Sequence, residues 1–99
     1  VTKWDVYIAN VPFEDLPQKK VRPVVILENS VIVINCLKLT SQVPRNGEYS
    51  LQRWKEAGLA KPTVVRISKR LALDPNNLIK RIGTLHPIDI VEIQKRLSL

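Results

Sequence analysis

Lys19-Lys20-Val21-Arg22-Pro23-Val24-Val25-Ile26-Leu27-Glu28 places a basic entry and one Arg-Pro step ahead of an apolar run. Val21, Val24, Val25, Ile26 and Leu27 are mostly β-branched, and the run is too short to cross a membrane, so the stretch reads as a buried strand. Pro23 narrows that reading. A proline donates no ladder hydrogen bond, so it belongs at the start of a strand or at an edge, and it holds the residue before it extended. Arg22 therefore stands extended at the mouth of a buried strand. Taken alone, it could be an ordinary solvated flank residue.

The segments on either side supply more strands. Asp5-Val6-Tyr7-Ile8-Ala9-Asn10 is rich in aromatic and β-branched residues and predicts a first strand, ended by Pro12. Phe13 to Lys20 is bracketed by prolines and carries both charge signs, which predicts a surface loop. After a turn at Glu28-Asn29-Ser30, the run Val31 to Thr40 predicts a long central strand. A bend or bulge near Asn35 would let the sheet curl toward a barrel. Pro44-Arg45-Asn46-Gly47 marks a second exposed loop. Ser50 to Gly58 predicts a short helix with a serine cap and a closing glycine. Pro62 to Leu71 predicts a strand with Arg66, Ser68 and Arg70 on one face. Leu78 to Ile82 is a short apolar segment, and Gly83 is a break before Pro87 to Leu99, a helix with Ile90, Ile93 and Leu97 on its core side. His86 falls at a surface or capping position.

Composition sets limits on what this small fold does. At 99 residues the chain has room for one core and is expected to be one domain, 1–99. Cys36 is the sole cysteine and lies in an apolar run, so a buried thiol and a reducing, cytoplasmic location are expected. No stretch has the twenty or so apolar residues of a membrane helix, and the first residues lack a basic-then-apolar signal pattern, so no membrane partner is expected. Sixteen Lys and Arg against nine Asp and Glu give a net charge of +7, the footprint of a polyanionic partner, with nucleic acid the first suspect. One histidine far from one cysteine cannot form a zinc site of usual spacing, and three glycines make no phosphate loop. No metal or cofactor is expected.

Val11-Pro12-Phe13-Glu14-Asp15, Lys20-Val21-Arg22-Pro23-Val24, Leu39-Thr40-Ser41, Ala57-Gly58-Leu59 and Ile82-Gly83-Thr84-Leu85 follow one another in this order. With these segments the chain resembles, nearly end to end, the MazF/PemK family of toxins from type II toxin–antitoxin systems. The resemblance implies a mostly β (α+β) fold: a small SH3-like β-barrel with a short middle helix and a C-terminal helix. It also implies a homodimer, sequence-specific cleavage of single-stranded RNA without metal, and inhibition by a cognate acidic antitoxin. The family's catalytic arginine falls on Arg22 and its catalytic threonine on Thr40. Lys69 and Ser41 are supporting candidates, while Lys19, Lys20, Arg45 and Arg66 are expected to neutralise RNA phosphates.

The sequence departs from the family in two places. Gln18-Lys19-Lys20 stands where many relatives carry glycines, which stiffens that loop and makes it more basic. An Arg-Thr-Ile-Asp segment of many relatives is absent between Thr63 and Leu71, so no third catalytic group transfers. The residue types nevertheless suit the chemistry. Metal-free RNA cleavage uses the ribose 2′-hydroxyl as nucleophile and must neutralise a phosphorane that gains negative charge. A guanidinium grips phosphate oxygens bidentately and holds its own proton, which favours electrostatic stabilisation over base catalysis. A threonine hydroxyl adds one hydrogen bond. Two readings compete. A non-catalytic nucleic-acid-binding barrel would display stacking aromatics, and Trp4, Tyr7, Phe13, Tyr49 and Trp54 form no stripe on a strand. A toxin that poisons a protein target such as a topoisomerase would have no need of the Arg22 and Thr40 pair.

Overall fold

The computed structural model describes residues 1–12, 18–30 and 33–98. Most of the loop expected between the first two strands, and Val31 and Ile32 of the third run, lie outside the described residues. The strands are β1 (Asp5–Pro12), β2 (Lys19–Asn29), β3 (Ile34–Thr40), β4 (Tyr49–Ser50), β5 (Val64–Leu73) and β6 (Leu78–Thr84), followed by helix α1 (Pro87–Leu97). They form one antiparallel sheet in the order β4-β5-β3-β2-β1-β6.

Strand alternation divides the apolar residues between the two faces of this sheet. On one face Val6, Val25, Leu37, Leu39 and Val65 are buried together with Ile93 of α1, and Ile90 and Leu97 pack against them as the helical stripe predicts. On the other, Ala9, Val11, Val24, Ile26, Cys36 and Leu73 form a second cluster. Each aliphatic side chain fully buried in these clusters is worth about 1.5–3 kcal/mol. Burial also pushes the Cys36 thiol up to about 12, leaving it an inert core residue as expected.

Pro23 is the fifth residue of β2, and the ladder explains why it is tolerated there. β2 pairs with β1 from Lys19 to Val25, but its ladder with β3 begins only at Val24 opposite Lys38. The segment from Lys19 to Pro23 is thus bonded on one side, the edge condition that a proline needs. The sheet curls through bulges. One lies where Ile26 and Glu28 face the adjacent Cys36 and Asn35, close to the bend expected there. A larger one lies in β5, where the five steps from Arg70 to Val65 face the two steps from Leu37 to Leu39.

The expected middle helix is a single turn, and Ser50 does not cap it: Ser50 belongs to β4. The cap comes from α1. Asp89, fully buried, accepts from the backbone N–H groups of Gln52 (2.9 Å) and Arg53 (3.0 Å) and from the Tyr49 hydroxyl (2.6 Å). Gly58, at φ +89°, ends the turn as expected, with Leu59 N–H donating to Trp54 O and Gly58 N–H to Lys55 O. Gly83 is not a break. It lies within β6, where its lack of a Cβ lets the 57–58 backbone approach Ile82 and Gly83 directly. That contact bridges the two sheet edges, so the curl is completed by packing rather than by a ladder. His86 caps α1 as expected, its Nδ1 accepting from Ile88 N–H at 3.1 Å.

The Tyr49–Asp89 bond makes the fold sensitive to alkali. Burial first, then the hydrogen bond to Asp89, pushes the Tyr49 phenol up from 10.0 to about 12. A phenol whose folded pKa is raised contributes stability that is intact below its unfolded value and lost as pH rises through its folded value. Urea unfolding should therefore show stability falling between pH 10 and 12. Tyr49→Phe should flatten that fall and cost about 1.5–3 kcal/mol at neutral pH, the weight of a hydrogen bond to a charged group. An unchanged alkaline slope in Tyr49→Phe would refute this.

Candidate functional site

Where the β2–β3 ladder stops, the strands part. Continuing the register of Val24↔Lys38 and Val25↔Leu37 by two residues would set Arg22 opposite Thr40 on the same face of the sheet. Both side chains line the clefts that open at this point. The larger, about 550 Å³, is lined by Arg22, Thr40 and Ser41, by the apolar residues Ile8, Pro23, Leu39 and Ile82, and by Gly58 to Lys61. The smaller, about 170 Å³, is lined by Val11, Pro12, Lys20, Arg22, Lys38, Leu39, Thr40, Gln42 and Arg66. Arg22, Leu39, Thr40 and Gln42 belong to both, so the two clefts meet at the Arg22–Thr40 pair.

Local bonding leaves this pair available. The Arg22 guanidinium is exposed and, among the described residues, donates only to the neighbouring Val21 carbonyl, at 3.2 Å. Thr40 Oγ1 accepts from Gln42 N–H at 3.2 Å, so its own proton is free to point into the cleft. Gln42 is tethered in turn: its Oε1 accepts from Arg66 Nη2 at 2.7 Å, and Arg66 forms an ion pair with Glu48 at 3.7 Å. Among the described residues the charged side chains that line the two clefts are Lys20, Arg22, Lys38, Lys61 and Arg66.

The other sequence candidates divide. Ser41 lines the larger cleft, and Lys20 and Arg66 line the smaller one, although Arg66 is already engaged by Glu48 and Gln42. Lys19 donates to Asn77 at 3.2 Å and Arg45 sits in the exposed loop, both outside the cleft linings. Lys69 is exposed in the bulged part of β5 and lines neither cleft. Lys38, Gln42 and Lys61 are among the lining residues that escaped sequence reasoning. Strand parity with Thr40 could have found Lys38. Lys61 arrives by tertiary contact, because the glycine-mediated approach of the 53–58 turn to β6 carries residues 58–61 to the cleft wall. Among the described residues no group of three or more His, Cys, Asp or Glu could hold a metal ion.

The fold is thus a small curled antiparallel sheet with one C-terminal helix, and Arg22 and Thr40 stand where its two clefts meet. The family model described as PemK-like, MazF-like toxin of type II toxin–antitoxin system matches residues 2–99, and the chain belongs to that family. Its fold is that of solved relatives. An endoribonuclease from a mycobacterial species in complex with its cognate antitoxin superimposes with TM-score 0.72 at 14% identity, covering 97% of this chain and 89% of that one. A second mycobacterial endoribonuclease gives 0.74 at 14% identity, covering 97% and 86%. The Mycobacterium tuberculosis toxin MazF-mt6 gives 0.71 at 22% identity, covering 95% and 92%. Comparison with curated protein sequences finds no match. No described helix is long and apolar enough to cross a membrane.

Proposed function

We propose that this chain is a cytoplasmic toxin that cuts single-stranded RNA at specific sequences, without a metal ion, and so arrests translation. The observation that carries this reading is the convergence of Arg22 and Thr40 where the two clefts meet. A ribose 2′-hydroxyl held in line with its own 3′-phosphate attacks phosphorus and loses its proton. The phosphorus–O5′ bond breaks, the leaving oxygen takes up a proton, and the products are a 2′,3′-cyclic phosphate and a 5′-hydroxyl. Arg22 neutralises the charge that builds on the non-bridging oxygens, and Thr40 donates a further hydrogen bond to the same group. Ser41 lies next to Thr40 on the same rim as a supporting donor, and Lys20 adds attraction for phosphate. The aromatic side chains favour this over a passive binding barrel. Trp4, Tyr49 and Trp54 belong to or pack against one core cluster and Tyr7 packs against the other, so they do not form a base-stacking platform.

Two partners belong to this reading: a second copy of the chain, as a homodimer, and an acidic antitoxin segment that covers the same basic mouth and orders itself on binding. The solved mycobacterial relative bound to its antitoxin supports the latter.

The test is incubation of the purified protein with a long RNA in excess EDTA. Cuts should fall at a short recurrent motif within single-stranded regions, leave cyclic phosphate ends and spare duplex RNA, whose stacked geometry forbids in-line attack. Adding the acidic partner should suppress cutting competitively. A requirement for added magnesium would sink the metal-free mechanism, and intact RNA under all conditions would favour a protein target.

A further inference from the structure

We propose that the smaller cleft is a phosphate subsite that holds the phosphodiester next to the one being cut, with Lys38 as its principal cation. The proposal rests on the ribonuclease reading above. Lys38 and Thr40 are two residues apart on β3 and so share a face, separated by about 6.5–7 Å along the strand. That spacing is of the order of the distance between successive phosphates in an extended nucleotide chain. An RNA strand with its reactive phosphate between Arg22 and Thr40 can therefore present a neighbouring phosphate to Lys38.

Electrostatics single out Lys38 among the basic residues of that cleft. Arg66 is neutralised by Glu48 and tied to Gln42. Lys38 is half-buried and has no ion-pair or hydrogen-bond partner among the described residues, yet it stands with Lys20, Arg22 and Arg66 around one small cavity. A half-buried ammonium without a counter-ion is better stabilised by a bound anion than by partial loss of its hydration. The cleft is the smaller of the two and is lined by several cations, whereas the larger one, with Ile8, Pro23, Leu39 and Ile82 in its walls, offers more room and apolar surface for a base and its sugar. The two clefts thus separate the substrate by chemistry, nucleoside on one side of the reactive phosphate and backbone charge on the other.

The test uses a short RNA spanning a mapped cut site, made uncleavable for binding work by a 2′-deoxy sugar at the attacking nucleotide. Single neutral methylphosphonate linkages replace the phosphate on either side of the cut in turn. In the parent protein one of the two neutral linkages should weaken binding about tenfold, the weight of one charge-assisted contact. Lys38→Ala should weaken binding of the unmodified strand equally, make it indifferent to that linkage, and lower the slope of log affinity against log salt by about 0.7. Lys38→Gln, which keeps most of the stem, should behave like Lys38→Ala, and Lys38→Arg should keep the parent's sensitivity. If the penalties of Lys38→Ala and of the neutral linkage multiply, or neither linkage matters in the parent, the subsite is overturned while the ribonuclease reading stands. The subsite is likewise overturned if Lys38→Ala loses only the acidic protein partner. A parent that fails to cut the unmodified RNA overturns the reading beneath it.

Discussion

Replacing Arg22 by alanine is expected to lower RNA cleavage by at least about a hundredfold, the usual loss for one pre-organised donor to a developing oxyanion. RNA affinity should fall far less. Lys20 and Lys38 remain in the smaller cleft and keep most of the ground-state attraction, and only contacts that strengthen in the transition state govern the chemical step. The fold should be unaffected, because the Arg22 guanidinium is exposed and, among the described residues, bonded only to its neighbour's carbonyl. Thr40→Val should give a milder loss of the same kind, since it preserves the β-branched shape and removes the hydroxyl that Gln42 N–H orients. Lys69→Ala serves as the control, as Lys69 lies outside both cleft linings. Single-turnover cleavage measured beside equilibrium binding separates the two quantities. An Arg22→Ala protein that binds and cuts like the parent would remove Arg22 from the proposed mechanism.

The second large effect is on stability. Gly58→Ala should cost about 3 kcal/mol or more, because two penalties coincide there. A side chain at φ +89° carries roughly 1–2 kcal/mol of backbone strain, and the new Cβ would collide with the Ile82 carbonyl, an overpacking cost of about 1–3 kcal/mol. Gly83→Ala meets the reciprocal obstacle, the Ala57 carbonyl, without the dihedral penalty. Gly47→Ala is the internal comparison: φ is +85° but the space around it is open, so only the dihedral cost of about 1–2 kcal/mol applies. For a chain of this size each kcal/mol lowers the melting temperature by about 4–8 °C. The melting temperatures should therefore rank parent, then Gly47→Ala, then Gly58→Ala. Equal melting temperatures for Gly47→Ala and Gly58→Ala would show that the 57–58 backbone does not press on β6 as described. Because Gly58 and its neighbours line the larger cleft, partial rescue at low temperature should still leave RNA cleavage impaired.

Local chemistry in the sequence was enough for several elements. The β-branched run after Pro23 and the aromatic and β-branched run from Asp5 become β2 and β1, since strand formation there depends on residues that suit a pleated surface. The Ile90, Ile93 and Leu97 stripe places the buried side of α1, because helical periodicity is set by the backbone alone. The Arg-Pro step marked the strand mouth for the same reason: proline cannot join a two-sided ladder, so the β3 partner begins one residue after it. The strand-mouth positions of Arg22 and Thr40 were legible too, once the motifs around them were recognised.

What needed the tertiary structure were the interactions between segments distant in the chain. Ser50 satisfies the local rule for a helix cap, yet Asp89, far along the chain, takes the free N–H groups, because a buried carboxylate needs donors and the turn supplies them. Gly83 has the composition of a break and is instead a strand residue whose missing side chain admits the Ala57 carbonyl. Arg66 counts as a cation in the composition, whereas Glu48 largely neutralises it. The amino-acid sequence by itself determined β1, β2, the cores of β3 and β5, the C-terminal helix and the excess positive charge, since these follow from covalent geometry and residue type, whereas β4 and the full length of β6 do not. Only the folded chain decided that Arg66 meets a counter-ion while Lys38 faces the cleft without one among the described residues, because pairing depends on distances that no local pattern encodes.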